Sequence, residues 1–116
     1  MNIKSLAVMA VAALLLVGCQ EQTGIQLRIE NASDIPFDEV LVNNVTFGAL
    51  EANEVSAYLD FEYIYVKEYV KVIIDGRAIE LIPEDFNKED YHSDGSYKYV
   101  IDILHDKWID LKFQPE

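Results

Sequence analysis

Residues 69–82, with the sequence YVKVIIDGRAIELI, decide the fold of this chain. Asp75-Gly76 stands between two runs rich in apolar and β-branched residues. A two-residue turn of type I′ needs positive φ at both central positions, and Asp followed by Gly adopts it readily. The stretch therefore predicts a β-hairpin with strands over 69–74 and 77–82.

The segments around this hairpin also have the alternation of strands. Ile25, Leu27 and Ile29 alternate with polar residues, and Asn43-Asn44 is a second tight-turn pair. A long polar loop is predicted over 83–95. Further strands are predicted over 25–30, 37–42, 45–47, 55–61, 96–104 and 109–113. Together these patterns predict an all-β domain over 25–116, an antiparallel β-sandwich of about seven strands.

Composition and charge exclude several classes of protein. Beyond residue 18 the chain carries all 21 acidic residues against 8 of the 9 basic ones. Such a charge repels phosphates, so we expect no nucleic-acid partner. The 7 Tyr, 5 Phe and 1 Trp supply apolar area that a disordered acidic chain lacks. Cys19 is the only cysteine, so the domain has no disulfide of its own.

The first 18 residues are predicted to be a signal peptide, with a helical apolar segment. Lys4 precedes an uncharged apolar run over 6–17. A membrane-spanning helix needs about 20 such residues, whereas this run has the length of a signal-peptide apolar region. Residues 19–24 (CQEQTG) are then a short polar tether before the domain.

The end of this segment, Leu16-Val17-Gly18-Cys19, resembles the lipobox of bacterial lipoproteins. The resemblance implies that the Cys19 thiol is lipidated, that the chain is cut before it, and that its new amino group is acylated. The lipid, palmitate among its acyl chains, would be the membrane partner. By the sorting convention of that family, Gln20 in place of Asp implies the outer membrane, on its periplasmic or its surface face.

A second resemblance extends from residue 25 to about residue 69. Its pattern is Asn31 with Ser33, then Val40-x-Val42-Asn43-x-Val45-x-Phe47-Gly48-x-Leu50, Glu54-x-Ser56-x-Tyr58, Phe61 and Tyr63-x-Tyr65. It resembles small, functionally uncharacterised bacterial lipoproteins with Ig-like or transthyretin-like domains. The resemblance implies a fold, and it brings no catalytic or binding residue to carry over.

Few residues have the spacing of a metal or catalytic site. His92 and His105 flank a predicted strand and should lie at its opposite ends, whereas a zinc site needs three or four converging ligands. Asp90-x-His92-x-Asp94-Gly95 begins like a calcium loop, but Ile101 occupies the position of the bidentate Glu. We therefore expect no bound metal ion, no cofactor and no enzymatic activity. Loose cation binding by the acidic loop over 84–94 stays open.

Tyrosines and one tryptophan are the candidate binding residues. Tyr63 and Tyr65, like Tyr97 and Tyr99, have the two-residue spacing that places both rings on one face of a strand. Exposed rows of this kind bind sugar rings or protein partners, whereas buried ones are cross-strand packing. Trp108 alternates with the apolar Ile109 and Leu111, so its side chain is expected to point outward, as that of an interface residue would.

These patterns predict a lipid-anchored envelope protein that acts as a non-enzymatic binding or interaction module, with an envelope protein or a glycan as its partner. The alternative is a carbohydrate- or cation-binding surface domain that uses the tyrosines or the 84–94 loop. Exposed coplanar tyrosines would favour sugar, and convergent carboxylates would favour a cation. A flat apolar patch at Trp108 would favour a protein.

Overall fold

The computed structural model describes residues 24–84 and 90–116. The predicted signal peptide and the tether up to residue 23 lie outside these residues, as does the middle of the acidic loop. The described part is all-β and contains no α-helix. None of its elements is a helix long and apolar enough to span a membrane. Its ten strands are β1 (Ile25–Asn31), β2 (Phe37–Val42), β3 (Val45–Leu50), β4 (Leu59–Phe61), β5 (Ile64–Tyr65), β6 (Val70–Ile74), β7 (Arg77–Leu81), β8 (Tyr91–His92), β9 (Gly95–Leu104) and β10 (Trp108–Pro115).

Eight of these strands form two four-stranded sheets. The first has the order β10-β9-β1-β4 and the second the order β3-β2-β6-β7. All pairings are antiparallel except one, because β1 and β9 run parallel from Ile25 opposite Gly95 to Asn31 opposite Ile101. The antiparallel prediction thus fails at this one pair. Periodicity assigns residues to a face but does not say which strand lies alongside.

The two sheets pack face to face around one apolar core. The first sheet contributes alternate residues of β1 and β9, and the second contributes those of β2, β6 and β7. The buried residues are Ile25, Leu27, Ile29, Phe37, Val40, Val42, Leu50, Ile64, Val70, Val72, Ile74, Ile79, Tyr99 and Ile101. The β-sandwich predicted from the sequence is therefore confirmed.

A third, two-stranded sheet of β5 and β8 closes one end of the sandwich. Ile64 on β5 is fully buried and caps the core there. The sequence indicates β5 only through the spacing of Tyr63 and Tyr65, and it does not predict β8, which falls in the expected polar loop over 83–95. The expected strand over 55–61 is shorter, because only Leu59–Phe61 pairs as a strand and Val55 makes a single bridge to Glu30.

The sandwich has two ends, which the parallel β1–β9 pair defines. Gly24 and Ile25 lie at what we call the tether end, together with Gly95 and the small β5–β8 sheet. Strand β9 then runs ten residues to Leu104, which is about 30 Å at the rise of a strand. We call this the distal end, and Trp108 lies there opposite Leu104.

Tight turns with positive φ connect the two strands of each hairpin. Asp75 and Gly76 have φ of 50° and 76°, and the flanking Ile74 and Arg77 pair across the turn. The hairpin predicted over 69–82 is thus confirmed, with the positive φ values that a type I′ turn requires. Asn43 and Asn44 have φ of 48° and 66° and join β2 to β3 in the same way.

Candidate functional site

Three tyrosines meet at the tether end, on and beside the small sheet. Tyr63 and Tyr91 stack, with ring centroids 5.4 Å apart and planes inclined by 23°. Tyr65 lies edge-on to both, 6.0 Å from the Tyr63 centroid and 5.6 Å from that of Tyr91. Tyr63 and Tyr91 are 46% and 45% exposed. The cluster is thus an ordered aromatic surface that remains accessible to solvent.

Pairing between β5 and β8 places these rings together. Tyr65 lies directly opposite Tyr91 in the register, and Ile64 lies opposite His92. Because side chains alternate along a strand, the buried Ile64 forces the flanking tyrosines toward the other face. The backbone N–H of Val66 also donates to Asp90 O at 3.0 Å, which extends the contact between the two segments.

An open groove of about 500 Å³ runs beside the cluster. It is lined by Tyr63, Tyr65, Asn43 and Glu68, so it combines aromatic faces with an amide and a carboxylate. Ligand sites in proteins commonly combine apolar or aromatic walls with a few fixed polar groups. We call these four residues, together with Tyr91, the tyrosine groove.

Glu68 is the most unusual residue of the groove, because it is a carboxylate only 3% exposed. Its Oε1 accepts a hydrogen bond from Asn43 Nδ2 at 2.7 Å, and its Oε2 accepts one from the backbone N–H of Tyr65 at 2.8 Å. Burying a carboxylate requires such donors. Glu68 therefore holds the Asn43 turn and the Tyr65 strand together, and it fixes the shape of the groove.

Tyr99 lies beneath the groove and not on its surface. It is 0% exposed, and its hydroxyl donates to Tyr65 O. Burial, and next the negative charge of Glu68, raise the pKa of the Tyr99 hydroxyl far above its ordinary value. Tyr99 thus stays protonated and supports Tyr65 from below. It does not form part of an accessible ligand surface.

Tyr97 shares a strand face with Tyr99, as predicted, but it is half-buried. Its ring stacks on Phe113 with centroids 4.7 Å apart. His92 packs against both rings, at 5.1 Å from Tyr97 and 5.0 Å from Phe113. Tyr97 therefore serves mainly as cross-strand packing, and His92 packs against the same pair of rings.

The two histidines lie at opposite ends of β9, as predicted. His105 is exposed in the distal turn, with φ of 53°. Among residues 24–84 and 90–116, no three His, Cys, Asp or Glu side chains gather in a way that would hold a metal ion. Cation binding by the 84–94 loop remains a prediction, since residues 85–89 of that loop are not described.

Trp108 points outward at the distal end, in agreement with its parity in the sequence, and is 60% exposed. Its cross-strand neighbour Leu104 is also exposed. The Lys107 ammonium lies 5.8 Å from the centroid of the indole. This apolar patch is small, and it lacks the groove and the fixed polar groups of the tether end.

The sequence identifies Tyr63 and Tyr65 as candidates but misses three residues of the groove. Tyr91 lies in an expected loop, Asn43 is interpreted only as a turn residue, and Glu68 is one acid among 21. A signal for Glu68 does exist, since it is a lone carboxylate between strand residues near three tyrosines. No spacing in the sequence indicates that it is buried.

The groove combines aromatic faces, which can stack, with the exposed amide of Asn43, which can accept and donate hydrogen bonds. Comparisons with protein-family models, with curated proteins and with solved structures find no match to this chain.

Proposed function

We propose that this chain is a lipid-anchored protein of the cell envelope, held in the outer membrane through Cys19, that binds a carbohydrate without catalysing a reaction. The lipobox pattern at Cys19 supports the anchor. The tyrosine groove supports the binding role, as the accessible place where aromatic and hydrogen-bonding groups combine.

One observation carries the choice of carbohydrate: Tyr63 and Tyr91 are nearly parallel and almost half exposed. The C–H face of a sugar ring packs on such an aromatic face, and Tyr offers this area at a low cost in side-chain entropy. A hydroxyl of the same sugar then finds an acceptor in the side-chain oxygen of the exposed Asn43 beside the rings. The two rings stack on one another and are not coplanar, so the proposal rests on the outer faces of this stack and on the polar group beside it.

A protein partner at Trp108 is the second candidate. Its support is the exposed pair of Trp108 and Leu104 on the outer face of the sheet. Specific interfaces bury about 800 Å² on each partner, and two adjacent side chains supply a small part of that. The sugar proposal rests on a larger and more ordered set of contacts.

Binding of soluble oligosaccharides tests the proposal. The lipidated chain in detergent is applied to an array of neutral oligosaccharides and then titrated with those it retains. Tyr63→Ala should weaken binding at least about fivefold, since loss of an aromatic stacking contact to a nucleobase, another flat ring ligand, costs about 1–3 kcal/mol. Trp108→Ala is the matched control, because it removes an exposed aromatic ring at the other end. Equal loss in both variants, or retention of no sugar, would contradict the proposal.

The anchor has its own test. Cells that express the chain are fed labelled palmitate, and the labelled protein is compared with the Cys19→Ser variant. We expect label in the wild-type chain and none in the variant, because only the thiol of Cys19 can form the thioether to the lipid. Mass spectrometry should place residue 19 at the N-terminus of the mature protein. Label that persists in Cys19→Ser would refute the anchor.

A further inference from the structure

The tyrosine groove opens at the end where the chain enters the domain. Gly24 has φ of 90°, and its backbone lies so close to Phe61 that an added Cβ would collide with the Phe61 carbonyl oxygen. Ile25 pairs with Phe61 across β1 and β4, and Tyr63 follows two residues later. The entry point of the tether is therefore fixed next to the groove.

Chain length limits how far the groove stands from the lipid. Five residue steps separate Cys19 from Gly24. At full extension they span about 18 Å, since a chain reaches at most about 3.6 Å per residue. The distal end lies about 30 Å farther along β9, at the rise of a strand. The tether thus holds the tyrosine groove within about 18 Å of the lipid anchor, whereas Trp108 can lie farther away.

Charge narrows the kind of group that the groove accepts. The carboxylate of Glu68 lines the groove, and the chain as a whole has a formal net charge of −12. This negative charge repels phosphate-bearing headgroups. The repulsion is strongest in a partly buried site, because salt screens charges there only weakly. Neutral hydroxyl-rich headgroups meet acceptor oxygens and aromatic faces.

From these observations we infer that the ligand of the tyrosine groove is the neutral sugar headgroup of a glycolipid in the membrane that holds the anchor. The inference rests on the proposed sugar-binding function and adds the source of the sugar. Anchoring confines the groove to the layer near the headgroups, where a membrane glycolipid is more concentrated than it would be in solution. A shallow groove with few contacts is then sufficient.

Protection of tyrosines from nitration tests this inference. The lipidated chain is placed in phosphatidylcholine vesicles with or without a neutral dihexosyl diacylglycerol, treated with tetranitromethane, and analysed by peptide mass spectrometry. We expect nitration of Tyr63 and Tyr91 to fall several-fold only in the glycolipid vesicles. Tyr58, whose hydroxyl donates to Glu116, is the internal control, and the extent of its nitration should be the same in both kinds of vesicle.

Three variants test the result further. A flexible Gly-Ser insertion between Thr23 and Gly24 should reduce the protection of Tyr91 by vesicle glycolipid, because effective concentration falls with linker length. It should leave protection by the free dihexose unchanged. Tyr63→Ala should remove protection of Tyr91 in both cases, whereas Trp108→Ala should remove neither.

The other outcomes separate the two proposals. Protection by free dihexose but not by vesicle glycolipid would overturn the membrane source and leave sugar binding standing. Equal protection in both kinds of vesicle would mean that the bilayer itself covers the tyrosines, and this would overturn the inference. Absence of protection by sugar in any form would overturn the inference together with the proposed function.

Discussion

The two ends of the sandwich are built by different means. At the distal end, Asp75-Gly76 and His105-Asp106 form short turns with positive φ, and Arg77 Nη2 donates to Asp106 O at 3.1 Å between them. At the tether end, an additional small sheet, a buried carboxylate and three tyrosines surround a groove. The distal end consists of short turns that connect neighbouring strands, whereas the tether end presents an ordered groove that is accessible to solvent.

In a small domain without a catalytic motif, the end that contains the energetically costly features is the better candidate for a functional site. Local turn chemistry needs only a few adjacent residues and has no surplus polar group. Glu68 is a costly feature by comparison, since its burial needs two donors from separate segments. Such an arrangement is expected where the chain has to hold a surface in a fixed shape.

Replacing a buried tyrosine should have the largest effect on stability. We expect Tyr99→Ala to lower the free energy of unfolding by about 4 kcal/mol, because it empties a large core site. Tyr63→Ala should lower it by about 1 kcal/mol, because it removes the ring contacts of a half-exposed side chain and not a core residue. Denaturant unfolding of both variants measures this contrast. Equal losses would mean that the tyrosine cluster is part of the core and not a surface.

The distal hairpin should respond next most strongly. Gly76→Val places a β-branched residue at φ of 76°, so we expect a loss of about 2 kcal/mol. Gly76→Asn is the control, because Asn tolerates this conformation, and it should cost about 0.5 kcal/mol or less. Sugar binding at the tether end should be unchanged in both folded variants. A binding defect in Gly76→Asn would show that the two ends are coupled.

The smallest effect concerns the outer face of the first sheet. Arg28 Nε donates to Glu116 Oε1 at 2.6 Å, and Tyr58 Oη donates to the same oxygen at 2.8 Å. The hydrogen bond from Arg28, first among the causes, lowers the pKa of Glu116 from 4.5 to about 2. A lowered pKa in the folded state adds stability that is present above pH 4.5 and is lost as the pH falls to about 2.

Glu116→Gln removes this pH-dependent contribution while it keeps the shape of the side chain. Unfolding curves of the wild type and the variant should therefore differ slightly at neutral pH and converge as the pH falls through that window. The difference should shrink in high salt, since the pair is near the surface. A difference that grew on acidification would have the opposite sign and would refute the pKa shift.

The accuracy of the sequence-based predictions differs between local features and contacts that are distant in sequence. Asp75-Gly76 and Asn43-Asn44 are recognisable because two adjacent residues determine each turn. The outward direction of Trp108 is also predicted correctly, because side chains alternate along a strand. The alternation of Tyr97 and Tyr99 predicts their shared face but not its burial, because the sheet that covers them comes from other parts of the chain.

The groove and the parallel strand pair depend on contacts between residues distant in sequence. Gln26 lies beside Ser96, and Tyr65 lies opposite Tyr91. Nothing adjacent in sequence determines either partner, so β8 looks like a polar loop and Glu68 like any surface acid. Sequence patterns thus predict the fold class and two of the groove residues, whereas the site as a unit emerges only from the tertiary structure.

A titration followed by nuclear magnetic resonance tests whether the tether end binds sugar and the distal end does not. The side-chain amide of Asn43 and the indole N–H of Trp108 give separate signals, one at each end. With a neutral oligosaccharide that the array identifies, the Asn43 amide and the backbone signals of Tyr63, Tyr65 and Tyr91 should shift together, while the Trp108 indole stays in place. A shift of the Trp108 indole with an unchanged Asn43 amide would contradict the account.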